Sequence, residues 1–209
     1  MSHQEVWNQL ITSLQQMPWV EVLAVITGIA YIILAAQEQI WCWFFGIVSS
    51  LLSIYLFFSV KLYAESFLYF YYVLAGFYGW YTWRKQEGKH DLPITNRSWI
   101  FHILCMVLGV ICSFALAQAL GQYTDAQMPL IDAHTTVFSF IATWLVTQKI
   151  LETWTYWIVI DAVSVWLYWS RDLYLYSLLM VVYTVLAIWA FWAWKTQMEK
   201  EALQIPKVE

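Results

Sequence analysis

Seven stretches of mostly apolar residues follow one another along this chain, each about twenty residues long and separated by short polar breaks. They cover residues 19–36, 40–60, 63–83, 98–120, 131–147, 153–170 and 173–194. A helix of about twenty apolar residues crosses the hydrocarbon core of a bilayer and satisfies its own backbone hydrogen bonds there. We therefore predict an all-α integral membrane protein with seven transmembrane helices.

The composition agrees with a membrane protein and excludes other classes. Of the 209 residues, 62% are hydrophobic and 11% are charged, whereas a soluble domain carries about 25% charged residues. The formal net charge is −4 and there is no basic cluster, so nucleic acid is not an expected partner. The three cysteines lack metal-site spacing and there is no nucleotide-binding loop, so we expect no metal and no cofactor.

Lysine and arginine are distributed unevenly between the two sides of the predicted membrane. Lys61 and Arg171 lie on the side of the N-terminus. Eight basic residues lie on the side of the C-terminus: Arg84, Lys85, Lys89, Arg97, Lys149, Lys195, Lys200 and Lys207. Because positive residues are retained in the cytoplasm, we predict that the N-terminus faces outwards and the C-terminus faces the cytoplasm.

A fixed displacement, here named the repeat offset, aligns the second half of the chain with the first. Over positions 37 to 86, 14 residues are identical to the residue 111 positions later, without a gap. The polar and aromatic identities include Gln37/Gln148, Trp43/Trp154, Ser53/Ser164, Tyr63/Tyr174, Ser66/Ser177, Tyr72/Tyr183 and Trp83/Trp194. Shared hydrophobicity does not explain such matches. Spans one to three therefore repeat as spans five to seven, in the same orientation, and span four connects them.

This 3+1+3 arrangement, with two parallel three-helix repeats, divides the chain into five parts. They are an amphipathic segment at the membrane surface (1–18), the first repeat (19–83), a cytoplasmic loop with the connecting helix (84–130), the second repeat (131–194) and a cytoplasmic tail (195–209). In transporters built from such repeats, the substrate site lies between the repeats near the middle of the bilayer.

One carboxylate, Asp161, lies in the middle of the sixth span, where a charge is costly. Its helical face also carries aromatic and hydroxyl side chains, namely Trp154, Trp157, Ser164 and Tyr168. No Lys or Arg lies at mid-depth in any span. Two interpretations follow. The carboxyl group is protonated or hydrogen-bonded to its neighbours, or it lines a wet cavity and contacts a cationic or hydroxyl-rich substrate.

Faces of other spans complete a predicted polar cavity walled by aromatic rings. The second span contributes Trp43, Ser50 and Ser53, and the fifth presents a face of threonines and serine. The candidate substrate-binding residues are Gln37, Trp43, Ser50, Ser53, Tyr72, Trp80, Gln148, Trp154, Trp157, Asp161, Ser164, Tyr168, Tyr183 and Trp189.

Glutamines and tryptophans at the ends of the spans also have a purely structural interpretation. Gln37 and Gln148 fit equally well as symmetric substrate or gate residues and as ordinary helix-end residues. Tryptophans at span ends are enriched at membrane interfaces. We therefore expect Trp19, Trp83, Trp99 and Trp194 to belong to the interfacial belt.

The ordered pattern "YGWYTW" ending the first repeat and "W..W...D......Y....LY" in the second resembles the PnuC-type vitamin transporters. The resemblance covers about Glu21 to Trp194. It implies a bundle similar to full-length SWEET transporters, often trimeric, in the inner membrane of bacteria. It also implies uptake of nicotinamide riboside, a precursor of NAD, by facilitated diffusion. Phosphorylation by a cytoplasmic riboside kinase would then trap the substrate.

Alternative functions remain open at this level. Thiamine is also a cation and fits the same acid, whereas riboflavin is neutral and larger. Coupling to protons through Asp161 is a further alternative. A membrane-embedded enzyme needs paired histidines or several acids at one depth, and only His102 and His134 lie in or near the spans. A seven-helix receptor has no need of two equivalent halves, so we expect a transporter and not an enzyme.

Overall fold

In a computed structural model, the described residues (3–59, 63–84, 92–124 and 128–204) form eight α-helices. They are α1 His3–Gln16, α2 Trp19–Ala36, α3 Cys42–Ser59, α4 Tyr63–Trp83, α5 Trp99–Tyr123, α6 Pro129–Thr147, α7 Thr153–Ser170 and α8 Tyr174–Gln204. The prediction of an all-α protein is confirmed. Helices α2 to α8 lie on the seven apolar stretches, although α8 continues past the predicted end at residue 194. Lys61, Lys85, Lys89 and Lys207, which enter the charge count, lie outside the described residues.

Four helices in the described ranges are long and apolar enough to cross a membrane by length and composition. They are Trp19–Ala36, Trp99–Tyr123, Pro129–Thr147 and Tyr174–Leu203, and Cys42–Phe58 is a shorter apolar helix. Helices α4 and α7 are rich in Tyr and Trp, whose polar atoms lower the hydropathy of large apolar rings. Many large apolar side chains point outwards, such as Phe67, Phe77 and Leu104. Such a surface suits lipid and fits an integral membrane protein.

Six of the helices contact one another in a closed sequence. The contacting pairs are α2·α3, α3·α4, α4·α6, α6·α7, α7·α8 and α8·α2. The backbone of α5 approaches only that of α6, and the backbone of α1 approaches only that of α8, among the described helices, so both lie outside this six-helix ring. Within the same part of the chain, α3 and α7 make no backbone contact with each other. These two helices therefore lie on opposite sides of the ring.

Contacts in one half of the six-helix ring recur at the repeat offset in the other half. The Ser66 hydroxyl donates to the carbonyl oxygen of Ile54 at 3.5 Å, and the Ser177 hydroxyl donates to that of Val165 at 2.9 Å. Under the same offset, α4 corresponds to α8 and α2 corresponds to α6. The helix pair α4·α6 is therefore equivalent to the pair α8·α2. The two halves are thus built on equivalent contacts, and equivalent helix pairs join them.

The segment before α5 is attached to the turn between α6 and α7. The Thr95 amide donates to the carbonyl oxygen of Lys149 at 3.0 Å, and the Leu151 amide donates to the carbonyl oxygen of Thr95 at 2.8 Å. The neighbouring Ile94 is buried in the core. This segment therefore holds the α6–α7 turn in place.

Close packing at Gly79 of α4 generates a stability prediction. A Cβ atom at Gly79 would overlap the indole ring of Trp43, whereas one at Gly121 of α5 would lie 3.8 Å from Pro129. We expect Gly79→Ala to cost about 1–3 kcal/mol, because the buried ring must shift. Thermal unfolding in detergent measures this as a lower midpoint. Gly121→Ala is the matched control and should leave the midpoint unchanged or slightly higher. Equal midpoints for the two variants would contradict the packing.

Candidate functional site

The centre of the six-helix ring contains four buried polar side chains on two helices that face each other. Ser50 and Ser53 belong to α3, and Asp161 and Ser164 belong to α7. Their exposed fractions are 5%, 7%, 6% and 8%. The repeat offset relates Ser50 to Asp161 and Ser53 to Ser164. The two halves therefore present equivalent polar positions, and one of the four carries the carboxylate.

Two tyrosines join the halves beside Asp161. The hydroxyl of Tyr72 on α4 lies beside the Ser139 hydroxyl on α6. The Tyr183 hydroxyl on α8 lies against Gly28 of α2, where a Cβ atom would be 2.7 Å from it. Asp161 lies near enough to both tyrosine hydroxyls to interact with them electrostatically. One tyrosine hydroxyl from the α4·α6 pair and one from the α8·α2 pair thus lie near the carboxylate inside the ring.

No basic side chain in the described part of the chain pairs with Asp161. The ion pairs found there are Lys149–Glu38, Arg171–Asp132 and His102–Glu152. A buried carboxylate without a cationic partner is costly unless it is protonated, hydrogen-bonded or matched by a charged ligand. Among the described residues, the structure thus leaves both interpretations of Asp161 open: a protonated or hydrogen-bonded carboxyl group, or one matched by a ligand.

Aromatic rings line the interior next to these polar groups. The Trp157 ring lies 6.5 Å from the Tyr72 ring, centroid to centroid. The Tyr69 ring lies 5.3 Å from Tyr72 and stacks on Phe57 at 5.3 Å. Tyr69 was not among the candidate residues that the sequence predicts. Rings from α3, α4 and α7 thus meet beside Asp161, and their role as the wall of a substrate cavity stays a prediction.

The other predicted tryptophans and Tyr168 lie in different surroundings. Trp43 and Trp154 are each 2% exposed, and the indole N–H groups of both lack a hydrogen-bond partner. Trp80 is half-buried against Trp41, with ring centroids 5.6 Å apart. Tyr168 is half-buried near Tyr176. Trp189 is 42% exposed, so the structure does not bring it to the buried polar centre.

Gln37 and Gln148 follow the last residues of α2 and α6 and cap these helices through their backbone. Gln37 is exposed. The Gln148 side chain is half-buried and donates to the Tyr78 hydroxyl at 3.2 Å. The structure thus puts both at helix ends and not beside Asp161.

The tryptophans at span ends fall into two classes. Trp19 and Trp99 are each 71% exposed, as expected for an interfacial belt. Trp83 and Trp194 are 8% and 0% exposed, so the same expectation is wrong for them. Their identity at equivalent positions of the repeat was the signal that separates them from the belt.

Trp83 and Trp194 meet inside the ring, although α4 and α8 make no backbone contact among the described residues. Their ring centroids are 6.0 Å apart. The indole of Trp83 donates to the carbonyl oxygen of Thr147 at 3.2 Å, and that of Trp194 donates to the carbonyl oxygen of Ala35 at 2.9 Å. Each indole therefore ties one half of the chain to a helix end in the other half.

Trp43 and Trp154 extend this pair into a four-tryptophan cluster. Trp43 packs edge-on against Trp83 at 5.2 Å and 83°, and Trp154 packs against Trp194 at 5.3 Å and 84°. The repeat offset relates these two contacts to each other. The cluster fills one end of the ring with buried rings from α3, α4, α7 and α8.

Comparison with known proteins identifies the family. Residues 18–196 match the family described as nicotinamide mononucleotide transporter. The chain belongs to this family. It is 28% identical over 198 residues to the nicotinamide riboside transporter PnuC of Escherichia coli (strain K12), which covers 81% of this chain and 82% of that protein. It is 21% identical over 184 residues to the riboflavin/roseoflavin transporter RibM of Streptomyces davaonensis, which covers 86% of each.

A solved structure shares the fold. The crystal structure of the vitamin B3 transporter PnuC superposes with a TM-score of 0.72 and 20% identity, over 96% of this chain and 94% of that one. The resemblance to PnuC-type transporters is confirmed by these matches. The chain is therefore a membrane transporter and not an enzyme.

The hydrogen bond of Trp194 generates a second prediction. Trp194→Phe removes a buried indole N–H that donates to the carbonyl oxygen of Ala35. We expect this to cost about 1–3 kcal/mol and to lower the thermal midpoint in detergent. Trp192 is 56% exposed, so Trp192→Phe serves as the control and should leave the midpoint unchanged. Equal loss in both variants would show that the indole bond does not stabilise this end of the ring.

Proposed function

We propose that this protein carries nicotinamide riboside into the bacterial cell across the inner membrane by facilitated diffusion. The observation that supports this most is Asp161, a buried carboxylate without a basic partner in the described structure, inside a ring of six helices. The substrate is suggested by the relative from Escherichia coli, which is named a nicotinamide riboside transporter.

The chemistry of the site suits this substrate. Nicotinamide riboside joins a flat pyridinium cation to a ribose with free hydroxyls. Asp161 would face the cation, and Tyr72 and Trp157 would offer ring faces to it, at about 0.5–2 kcal/mol for each cation–π contact. The hydroxyls of Ser50, Ser53, Ser164 and Tyr183 would bind the ribose. The unpaired indole N–H groups of Trp43 and Trp154 are donors available to the carboxamide oxygen or the ribose.

Five of the predicted residues have a weaker place in the proposed site. Gln37 and Trp189 are exposed, Gln148 caps a helix, and Tyr168 and Trp80 pack against other rings. We propose that these residues influence uptake through neighbouring elements. The proposed contact residues are those around Asp161.

We also propose the arrangement in the membrane. All seven helices α2 to α8 would span it as 3+1+3, with 19–83 and 131–194 as parallel repeats. The contacts that recur at the repeat offset support this. The excess of Lys and Arg on one side supports an N-terminus outside and a C-terminus in the cytoplasm. A homotrimer follows from the family resemblance alone, and light scattering in detergent measures it.

A second candidate substrate is riboflavin, because the chain is also similar to a riboflavin/roseoflavin transporter. Riboflavin has no positive charge, so it has little use for a buried carboxylate. Thiamine, which is a cation, would use Asp161 in the same way as the riboside. Binding measurements therefore separate a charged vitamin from a neutral one through the contribution of Asp161.

Asp161→Asn tests the proposed site. Losing one charge–charge contact in a buried site should weaken binding of nicotinamide riboside to the purified protein by about tenfold or more, which is about 1.4 kcal/mol. Calorimetric titration with nicotinamide riboside, nicotinamide mononucleotide, thiamine and riboflavin measures the affinities. Asp172→Asn changes an exposed acid in the α7–α8 turn, so it is the control and should bind as the unmodified protein does.

The outcomes of this titration are distinct. Tight binding of riboflavin with no effect of Asp161→Asn would replace the proposed substrate. A preference for thiamine, weakened in the variant, would keep the role of Asp161 and change the vitamin. Riboside affinity equal in both proteins would remove Asp161 from the site and leave it protonated or hydrogen-bonded within the fold.

Facilitated diffusion makes a prediction about energy. We expect labelled riboside to enter proteoliposomes until the inside and outside concentrations are equal, with a rate that an uncoupler does not change. A riboside kinase and ATP enclosed in the vesicles should raise the trapped label well above this level. Uptake that collapses with the uncoupler when no kinase is present would instead point to proton coupling.

A further inference from the structure

An ion pair joins two residues that are equivalents of each other in the repeat. The Lys149 ammonium lies 2.7 Å from a carboxylate oxygen of Glu38, and the two residues are 111 positions apart. Both follow the cap of a helix, α2 or α6, and both have a positive φ, 55° for Glu38 and 49° for Lys149. Two residues related by a twofold axis can touch each other only close to that axis. The ion pair therefore lies on the approximate twofold axis of the six-helix ring.

A second pair of equivalents lies beside the first. Trp83 and Trp194 are also related by the repeat offset, and their rings meet 6.0 Å apart. The Lys149 ammonium lies 4.8 Å from the centroid of the Trp83 ring. Two layers therefore follow each other along the axis at this end of the ring. One is an indole pair and the other is an ion pair.

These layers leave little room on the axis. The Lys149 side chain is 9% exposed and that of Glu38 is 20% exposed. Trp83 and Trp194 are buried. A solute that moves along the axis from the buried polar centre would meet both layers before it reached the solvent at this end.

The layers also connect the elements that have to separate. The Trp83 indole ties α4 to the end of α6, and the Trp194 indole ties α8 to the end of α2. Glu38 and Lys149 then tie the two turns after these helix ends to each other. Opening this end of the ring requires the ion pair across the axis and the indole bonds at the two junctions to rearrange together.

We propose that the Glu38–Lys149 ion pair and the Trp83–Trp194 indole pair form the gate at this end of the transport path. Alternating access requires each end of the path to open while the other is closed. In this state the gate is shut, and breaking the ion pair is the step that admits water to the polar centre. The inference rests on the proposed function in one respect: the proposed orientation places this gate on the cytoplasmic side of the membrane.

The opposite end of the ring is built differently. The acids at equivalent positions there are Glu21 of α2 and Asp132 of α6. Glu21 accepts a hydrogen bond from the Tyr176 hydroxyl, and Asp132 pairs with Arg171 at 2.9 Å. Each acid thus engages a neighbour of its own and does not reach across the axis. Within the described residues, an ion pair between equivalent positions of the repeat is found at the Glu38–Lys149 end.

Accessibility of the polar centre tests the gate without knowledge of the substrate. Cys42, Cys105 and Cys112 are replaced by Ala, and Ser50→Cys supplies one thiol inside the ring. A membrane-impermeant maleimide is then applied to right-side-out and inside-out vesicles. We expect Glu38→Gln and Lys149→Gln each to speed labelling at the cytoplasmic face by about fivefold or more, because losing the pair shifts the population towards the open gate. Labelling at the outer face should not rise.

Two further variants complete the test. Lys195→Gln is the matched control, because the Lys195 ammonium also lies over a tryptophan ring, Trp192 at 5.0 Å, but outside the on-axis pair. It should label as slowly as the protein with the intact pair. The reversed pair, Glu38→Lys with Lys149→Glu, restores the attraction and should restore slow labelling. This double variant tests whether the ion pair keeps the gate closed even if a single variant is unstable.

Three results would overturn the gate. They are unchanged labelling in both single variants, an equal rise at both faces, which indicates general loosening, and fast labelling of the reversed pair. A rise confined to the outer face would keep the gate and overturn the proposed orientation. None of these results depends on the riboside, so a wrong substrate and a wrong gate give different outcomes.

Discussion

The structure depends on how two similar triplets of helices close upon each other. Closure occurs at α4 against α6 and at α8 against α2, and these two junctions are equivalent under the repeat offset. At each junction a tyrosine reaches the partner helix where that helix has a small residue, Ser139 for Tyr72 and Gly28 for Tyr183. A side chain at position 28 would overlap the Tyr183 hydroxyl, so the close approach of α8 to α2 depends on this glycine. Helices α3 and α7 lie on opposite sides of the ring that these junctions close.

The polar groups of the interior follow from the same closure. In a bilayer, a hydroxyl turned to lipid has no partner, so it bonds to its own helix or faces the interior. Ser50 and Ser164 donate to carbonyl oxygens four residues earlier, at 2.7 Å and 2.8 Å. Asp161 cannot form such a hydrogen bond within its own helix, since a carboxylate cannot donate to a carbonyl oxygen unless it is protonated. Among the buried polar side chains of the centre, Asp161 therefore differs from the two serines, which satisfy themselves within their own helices.

Much of the fold could be predicted because its signals are local or repetitive. Runs of apolar residues located helices α2 to α8, and the repeat paired Trp43 with Trp154 and Tyr72 with Tyr183 before any contact was known. Burial of Asp161 followed from its place on a helical face of aromatic and hydroxyl side chains. Helices α4 and α7 are weakly apolar by hydropathy, and only their aromatic content and flanking breaks indicate them.

The sequence does not predict which way a side chain near a helix end points, or which residues of different helices meet. Trp83 and Trp194 lie at span ends, where a tryptophan in the belt and one in the core have the same sequence context. Trp189 was placed inside by its depth, although the packing of α8 turns it outwards. The Glu38–Lys149 pair escaped notice because a repeat is recognised by identical residues, and these two are opposite in charge. Their contact becomes visible only when both turns reach the axis.

Opposite charges at equivalent positions also determine which halves can associate. Two copies of the first half, assembled by the same symmetry, would bring Glu38 against another Glu38. Two copies of the second half would bring Lys149 against another Lys149. Like charges at such short range repel, whereas the unlike halves of one chain attract. The two triplets are therefore not interchangeable at this contact, because only unlike halves place opposite charges against each other.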